Sequence, residues 1–124
     1  MLNNLLAVFI GGGVGSVLRF GISYVVIQYY RTVFPIATLV SNILSCLIFG
    51  LAIYILGEKL NTEMSLRLLI ITGFCGGFST FSAFSYETVE LIKGGNMIYA
   101  IVNILVSISV CFGIIYMLTR SNPV

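Results

Sequence analysis

The sequence predicts an all-α integral membrane protein with four transmembrane helices per subunit, and three observations carry that reading. Of 124 residues, 59% are hydrophobic and only 8% charged, where soluble domains carry about 25% charged residues. The mean hydropathy is +1.11. A spanning helix needs about 20 apolar residues, so this length holds four with short connections and no extramembrane domain. The apolar sequence is interrupted at Arg31 to Pro35, Gly57 to Glu63 and Lys93 to Asn96. Residues 1–124 thus read as one transmembrane domain, a multi-pass protein expected in the inner (plasma) membrane with the lipid bilayer as its solvent. Its function is expected inside the membrane.

The first segment runs from about Leu5 to Tyr30, interrupted only by Arg19. No positively charged start or small-residue cleavage pattern precedes it, so it is expected to remain as a helix. Gly11-Gly-Gly-Val-Gly15 sets small residues at i and i+4, the spacing of close helix approach. A nucleotide-binding glycine loop would need a strand before it and a soluble helix after it. Neither is present. An arginine at the bilayer centre costs roughly 2.5 to 3.5 kcal/mol. Arg19 therefore either reaches the interface or a helix-end carbonyl, or faces a wet cavity where it would attract anions.

The second segment runs from Ile36 to Leu56, with Pro35 at the first turn, where its missing N–H does no harm. Thr38, Ser41, Asn42 and Ser45 recur at three- and four-residue intervals and make one polar stripe, suited to interhelical hydrogen bonding or to lining a pore. Asn42 is the costliest of these to bury, and its amide can donate to an anion or to backbone freed elsewhere. Gly57 to Glu63 is the expected main polar loop, with Asn61 or Thr62 capping the next helix.

The third segment runs from Ser65 to about Ile92 and holds the run Gly73-Phe-Cys-Gly-Gly-Phe-Ser-Thr-Phe-Ser-Ala-Phe-Ser-Tyr-Glu87. Gly76-Gly77 followed by Ser79-Thr80 weakens the helix near its middle. A membrane tolerates this only where the freed groups find protein, water or an ion. A broken helix therefore points to a binding site. The ring edges of Phe78, Phe81 and Phe84 carry partial positive charge. Phe81 and Phe84 share one helical face, beside a hydroxyl track of Ser82 and Ser85. Alone, such a pair reads as core packing; next to a helix break it reads as part of an ion site.

Lys93-Gly-Gly-Asn96 predicts a tight turn in which both glycines can take positive φ. The fourth segment runs from Met97 to Leu118, where Asn103, Ser107 and Cys111 form a second polar track at four-residue spacing. Thr119 to Val124 is a short polar tail.

A net charge of +2 with six scattered basic residues makes neither a nucleic-acid surface nor a polybasic lipid-binding cluster. Cys46, Cys75 and Cys111 lie in apolar stretches without metal-ligand spacing and read as small packing residues. With four spans the termini share a side. That side and the second loop carry Lys59, Arg67 and Arg120, against Arg31 and Lys93 opposite. So slight a bias barely orients the chain. Oppositely inserted copies can then pair around a two-fold axis in the membrane plane, as an antiparallel dual-topology homodimer.

On these motifs the chain resembles the Fluc (CrcB) family of fluoride channels, over nearly its whole length. The matching residues are Gly11-Gly-x-x-Gly15 with Arg19-Phe20, Thr38-Leu-x-x-Asn42, and Gly76-Gly-Phe-Ser-Thr-Phe-Ser-Ala-Phe-Ser-x-Glu87. The resemblance implies a channel rather than an enzyme: a dimer with two pores that exports fluoride passively and so protects the cell from its toxicity. It implies a structural sodium ion (Na+) between the subunits, held by the backbone carbonyls of Gly76 and Ser79. It maps the pore-lining phenylalanine box to Phe81 and Phe84, with Ser82 beside it, and the segment-two asparagine to Asn42. The polar track maps to Asn103, Ser107 and Cys111, and the mouth arginine to Arg19. Glu87 and Thr80 match the motif without an assigned role. Ser79 and Ala83 stand where threonine is usual, Asn103 where tyrosine is and Cys111 where serine is. The alternative is a small multidrug-resistance-type, proton-coupled cation exporter. Such a protein needs a glutamate in its first helix, and this chain has none there.

Overall fold

The computed structural model describes residues 1–122; Pro123 and Val124, the end of the expected tail, lie outside the described residues. Helix α1 spans Leu2–Tyr29 and α2 spans Ile36–Thr62. The third crossing, Met64–Lys93, is built in pieces. A short α3 (Met64–Arg67) leads into a π-helical segment (Leu68–Cys75), then α4 (Gly76–Phe78), and after Ser79 and Thr80 comes α5 (Phe81–Lys93). Helix α6 spans Met97–Thr119. Among the described residues four helical stretches are long and apolar enough to cross a membrane. The third bends where the sequence predicts a break.

The interior is small and rich in polar groups, and the exterior is large and apolar. Thr38, Ser41, Ser45, Thr88, Asn103 and Ser107 are buried, whereas Phe9 and Ile98 are 79% and 76% exposed. In water this distribution would be unstable. In a bilayer it is the stable one, since lipid solvates the apolar faces and polar groups must find partners inside the bundle.

Helix α1 packs backbone to backbone on the third crossing. A Cβ added at Gly11 would collide with the Leu69 carbonyl oxygen, one at Gly15 would lie 2.8 Å from the Phe74–Phe78 strip at the Phe78 nitrogen, and one at Gly77 would meet Gly12 Cα at 3.0 Å. The small-residue stripe is therefore a packing face, and it seats the π-helical segment directly on α1. Gly76 and Gly77 are themselves helical. Gly77 serves this close approach, and the break falls one step later, at Ser79 and Thr80.

Helices α2 and α6 run parallel along one seam. Leu118 fills the space above Gly50, where a Cβ would lie 2.7 Å from its Cδ1. Farther along, Asn122 Nδ2 donates to the Tyr54 carbonyl at 3.0 Å. At the α5–α6 corner, Gly95 takes φ +80°, while Asn96 N–H reaches Leu91 and Gly95 N–H reaches Ile92. This paired arrangement is the glycine C-cap that satisfies the last carbonyls of a helix. Only one of the two glycines uses positive φ.

The expected loop at Gly57 to Glu63 is helical through Thr62, leaving Glu63 alone in extended conformation. Glu58, Lys59 and Leu60 are good helix formers, and Leu60 is buried, so α2 continues past the apolar stretch. Neither Asn61 nor Thr62 caps the next helix; Thr62 Oγ1 donates back to the Glu58 and Lys59 carbonyls at 3.2 Å. The first helix likewise begins at Leu2 rather than Leu5.

Gly15→Val is expected to cost about 3 kcal/mol or more through overpacking against backbone that cannot yield. Gly21→Ala, where a Cβ meets nothing within 4 Å, should be neutral or slightly stabilising. Thermal melting of the two variants in detergent checks this, and equal melting temperatures would contradict the packing.

Candidate functional site

The break in the third crossing is held by side chains from two other helices. Thr80 N–H, which an unbroken helix would direct to the Gly76 carbonyl, instead donates to Asn42 Oδ1 at 2.8 Å. Asn42 Nδ2 in turn donates to the Thr80 carbonyl at 3.4 Å. One asparagine thus takes both backbone groups of the residue that has left the helix. Leaving either unpaired in a membrane would cost several kcal/mol. This outweighs the price of burying the amide itself.

The neighbouring groups are settled in the same manner. Arg19 Nε donates to the Gly77 carbonyl at 3.2 Å, replacing the Phe81 N–H that the break removes. Of the two readings open for Arg19, its head reaches a helix-end carbonyl. The Cys75 carbonyl accepts from Ser79 N–H at 3.0 Å, Ser79 Oγ at 2.8 Å and Ser45 Oγ at 2.9 Å. Thr80 is the N-cap of α5, its Oγ1 accepting from Ala83 N–H at 3.2 Å.

These exchanges leave a specific remainder. Thr80 N–H has gone to Asn42 and Ala83 N–H to Thr80 Oγ1, so the carbonyls of Gly76 and Ser79 have lost their helical donors. Gly76 is exposed on the surface of the chain. Carbonyl oxygens without helical partners are donors of the hard type that could hold a cation such as Na+. On the other side of the break, the N-terminus of the 13-residue α5 carries the positive end of a helix dipole.

A cavity of about 330 Å³ opens beside this break. Its lining brings together Asn42, Phe81, Phe84, Ser107 and Cys111, along with Ser79, Thr80, Cys46 and Phe112. The Phe81 and Phe84 rings are 5.8 Å apart and tilted by 39°, and Phe81 is 79% exposed. Phe78 is not part of this arrangement. It is buried and stacks on Phe74 at 5.7 Å, away from the cavity lining.

Four further sequence candidates lie outside that lining. Ser82 Oγ is 3.2 Å from Thr80 Oγ1 and so belongs to the cap of α5. Asn103 is 1% exposed; its Nδ2 donates to Thr88 Oγ1 at 3.0 Å and its Oδ1 accepts from Ser107 Oγ at 3.3 Å. It links the cavity wall to α5. Arg19 is at the break itself. Glu87 accepts from Thr38 Oγ1 at 2.8 Å, while its Oε2 is buried without a partner among the described residues. It lines a second cavity, of about 300 Å³, with Tyr30, Phe34, Tyr86 and Glu90.

Thr88, Ser45 and Cys46 are site residues that the sequence reading did not single out for the site. Cys46 follows Asn42 by one helical turn, and that spacing was the available signal. Ser45 stood on the expected polar stripe of α2, but its carbonyl partner, like the amide partner of Thr88, is distant in the chain, and spacing does not identify such partners.

A family model described as "CrcB-like protein, Camphor Resistance (CrcB)" matches residues 6–119. Among similar proteins, one from Serratia proteamaculans (strain 568) named "Fluoride-specific ion channel FluC" is 46% identical over 109 residues, covering 88% of this chain and 85% of that protein. A protein of the same name from Ruminiclostridium cellulolyticum is 44% identical over 108 residues, covering 87% and 83%. Another, from Shewanella sp. (strain ANA-3), is 38% identical over 116 residues, covering 94% and 93%.

Asn42→Ala strips both partners from Thr80 and is expected to destabilise by about 2 to 3 kcal/mol, against about 1 kcal/mol for Ser45→Ala, which removes one of three donors to a single carbonyl. Reversible unfolding in mixed micelles measures both. Equal losses would mean that Asn42 does not hold the break.

Proposed function

The chain belongs to the CrcB-like protein family, and on that premise we propose that it is a fluoride-selective channel, conducting fluoride passively across the plasma membrane and so relieving the cell of it. The observation that carries this is the single cavity in which the Asn42 amide, the Phe81–Phe84 pair and the hydroxyl of Ser107 meet beside a broken helix. The names of the similar proteins point to the same ion.

The chemistry of the ion supports the reading. Fluoride is small and strongly hydrated, so a selective pore must replace its water with hydrogen-bond donors and exclude larger halides by size. Asn42 Nδ2 carries two N–H groups, and one of them suffices for the Thr80 carbonyl. The other is free to donate into the cavity. The tilted ring edges of Phe81 and Phe84 offer a weak electropositive contact, which holds an anion without trapping it. Conduction requires that kind of weak binding at several points. The positive end of α5 adds fixed partial charge at the same depth. Asn103, buried behind the wall, orients the Ser107 hydroxyl.

The working unit in this proposal is an antiparallel dual-topology homodimer with two pores. The exposure of Phe81 and Gly76 on the single chain supports a second copy covering them. The donor set at Gly76 and Ser79 fits a structural sodium ion between the copies. When bound, such an ion supplies fixed positive charge near the anion path and satisfies carbonyls that the helix no longer does. Arg19, already engaged with the Gly77 carbonyl, steadies this end of the break and adds positive potential.

Liposomes containing the purified chain are expected to release fluoride rapidly and chloride negligibly, with fluoride release reduced at least about 100-fold, the scale of losing one preorganised donor, in Phe81→Ala and Asn42→Ala. Ion-selective electrodes read both fluxes. Equal release of fluoride and chloride by the wild type would overturn the assignment.

A further inference from the structure

The cavity beside the break is lined by two thiols, Cys46 and Cys111, of which Cys111 stands on the expected polar track. Cys46 stands one turn after Asn42 on α2, and Cys111 one turn after Ser107 on α6, so each lies on the face that its helix turns toward the other. Both line the same cavity. Both are free thiols, half-buried, while Cys75, the third cysteine, is buried and does not line the cavity.

We propose that Cys46 and Cys111 form a two-thiol site for a soft metal cation, of the Cd2+ or Cu+ class, set in the wall of the conduction path, and that its occupation blocks conduction. Paired sulfur ligands select such soft ions over hard ones such as Mg2+ or Ca2+. The cavity has room for the cation and its remaining ligands, and no lysine or arginine lines it to repel a positive charge. Ser107, one turn before Cys111 on α6, offers a hydroxyl oxygen, and water can complete the coordination. Each thiol loses its proton to solvent as a sulfur–metal bond forms, and no electron is transferred. A bound divalent cation would then occupy the space between Asn42 and the phenylalanine pair and hold an arriving fluoride too firmly to release it. The effect on flux rests on the channel reading above; the binding does not.

The test uses Cd2+ on the purified, reduced full-length chain. The wild type and Cys75→Ser are expected to bind one Cd2+ per chain and to show thiolate-to-cadmium charge-transfer absorption. Cys46→Ser and Cys111→Ser should each lose that absorption. Removing even an outer partner of a metal ligand weakens affinity 10- to 100-fold, so loss of a direct ligand should weaken it by roughly 100-fold or more. On the wild type alone, bound Cd2+ should protect Cys46 and Cys111 together from a maleimide, read by mass spectrometry. In liposomes Cd2+ should suppress wild-type fluoride release and a chelator restore it, with each serine variant insensitive relative to its own metal-free rate. Wild-type-like binding by either serine variant, or protection that spares one of the two thiols, would overturn the site. Binding to the pair with unchanged fluoride release would overturn its place in the path. Absence of fluoride release before any metal is added would instead reject the channel reading, with the binding and protection results still deciding the site.

Discussion

The structure depends on one exchange of hydrogen bonds: Asn42 takes the backbone N–H and C=O of Thr80 out of the third helix and satisfies them itself. In a bilayer an interrupted helix is unaffordable unless each freed group finds a partner, because no water competes for it. A polar contact between helices contributes only about 0.6 kcal/mol on average, whereas an unpaired backbone group in hydrocarbon costs several. Asn42 therefore matters less for any attraction it adds than for the penalty it prevents. Everything else at the site follows from the break being held open at this residue.

Once the break is fixed, its two sides acquire opposite electrical character. The upstream helical piece ends in carbonyls. Gly77 is taken by Arg19 and Cys75 by Ser45 and Ser79, while Gly76 and Ser79 have lost the donors that a continuous helix would give them. The downstream piece begins with N–H groups and a threonine cap, and its positive end lies beside the cavity lined by Phe81 and Phe84. A short stretch of backbone thus presents carbonyl oxygens without helical donors on one side and the positive end of a helix on the other. Backbone contact between α1 and the third crossing at Gly11, Gly15 and Gly77 keeps these pieces from rotating, since no side chain is present to yield.

Much of this was legible in the sequence, and the reasons differ from residue to residue. The four crossings follow from apolar length alone, and the glycine stripe of α1 from spacing, because both are properties of one helix. The break was legible from Ser79-Thr80, although the neighbouring glycines suggested it should begin earlier. They are helical because their role is close contact, a demand set by the opposing helix. The π-helical segment at Leu68–Cys75 left no signal, since its composition suits an α-helix equally and its register is set against α1. The loop expected at Gly57 was misjudged because polarity marks the edge of the membrane, and a helix of good formers continues into water past that edge. The destination of Arg19 and the shared cavity of Cys46 and Cys111 each depend on which faces of separate helices come together.

The most direct test of this account is carbonyl carbon NMR of chains labelled at Gly76 and Ser79, recorded with Na+ and then with a large organic cation in its place. If the exchange at Thr80 frees these two carbonyls for a cation, both resonances move when Na+ is withdrawn while that of Gly77, held by Arg19, stays. Resonances that ignore Na+, or a response centred on Gly77, would contradict the view that the break is organised around Asn42 with Gly76 and Ser79 left as its open donors.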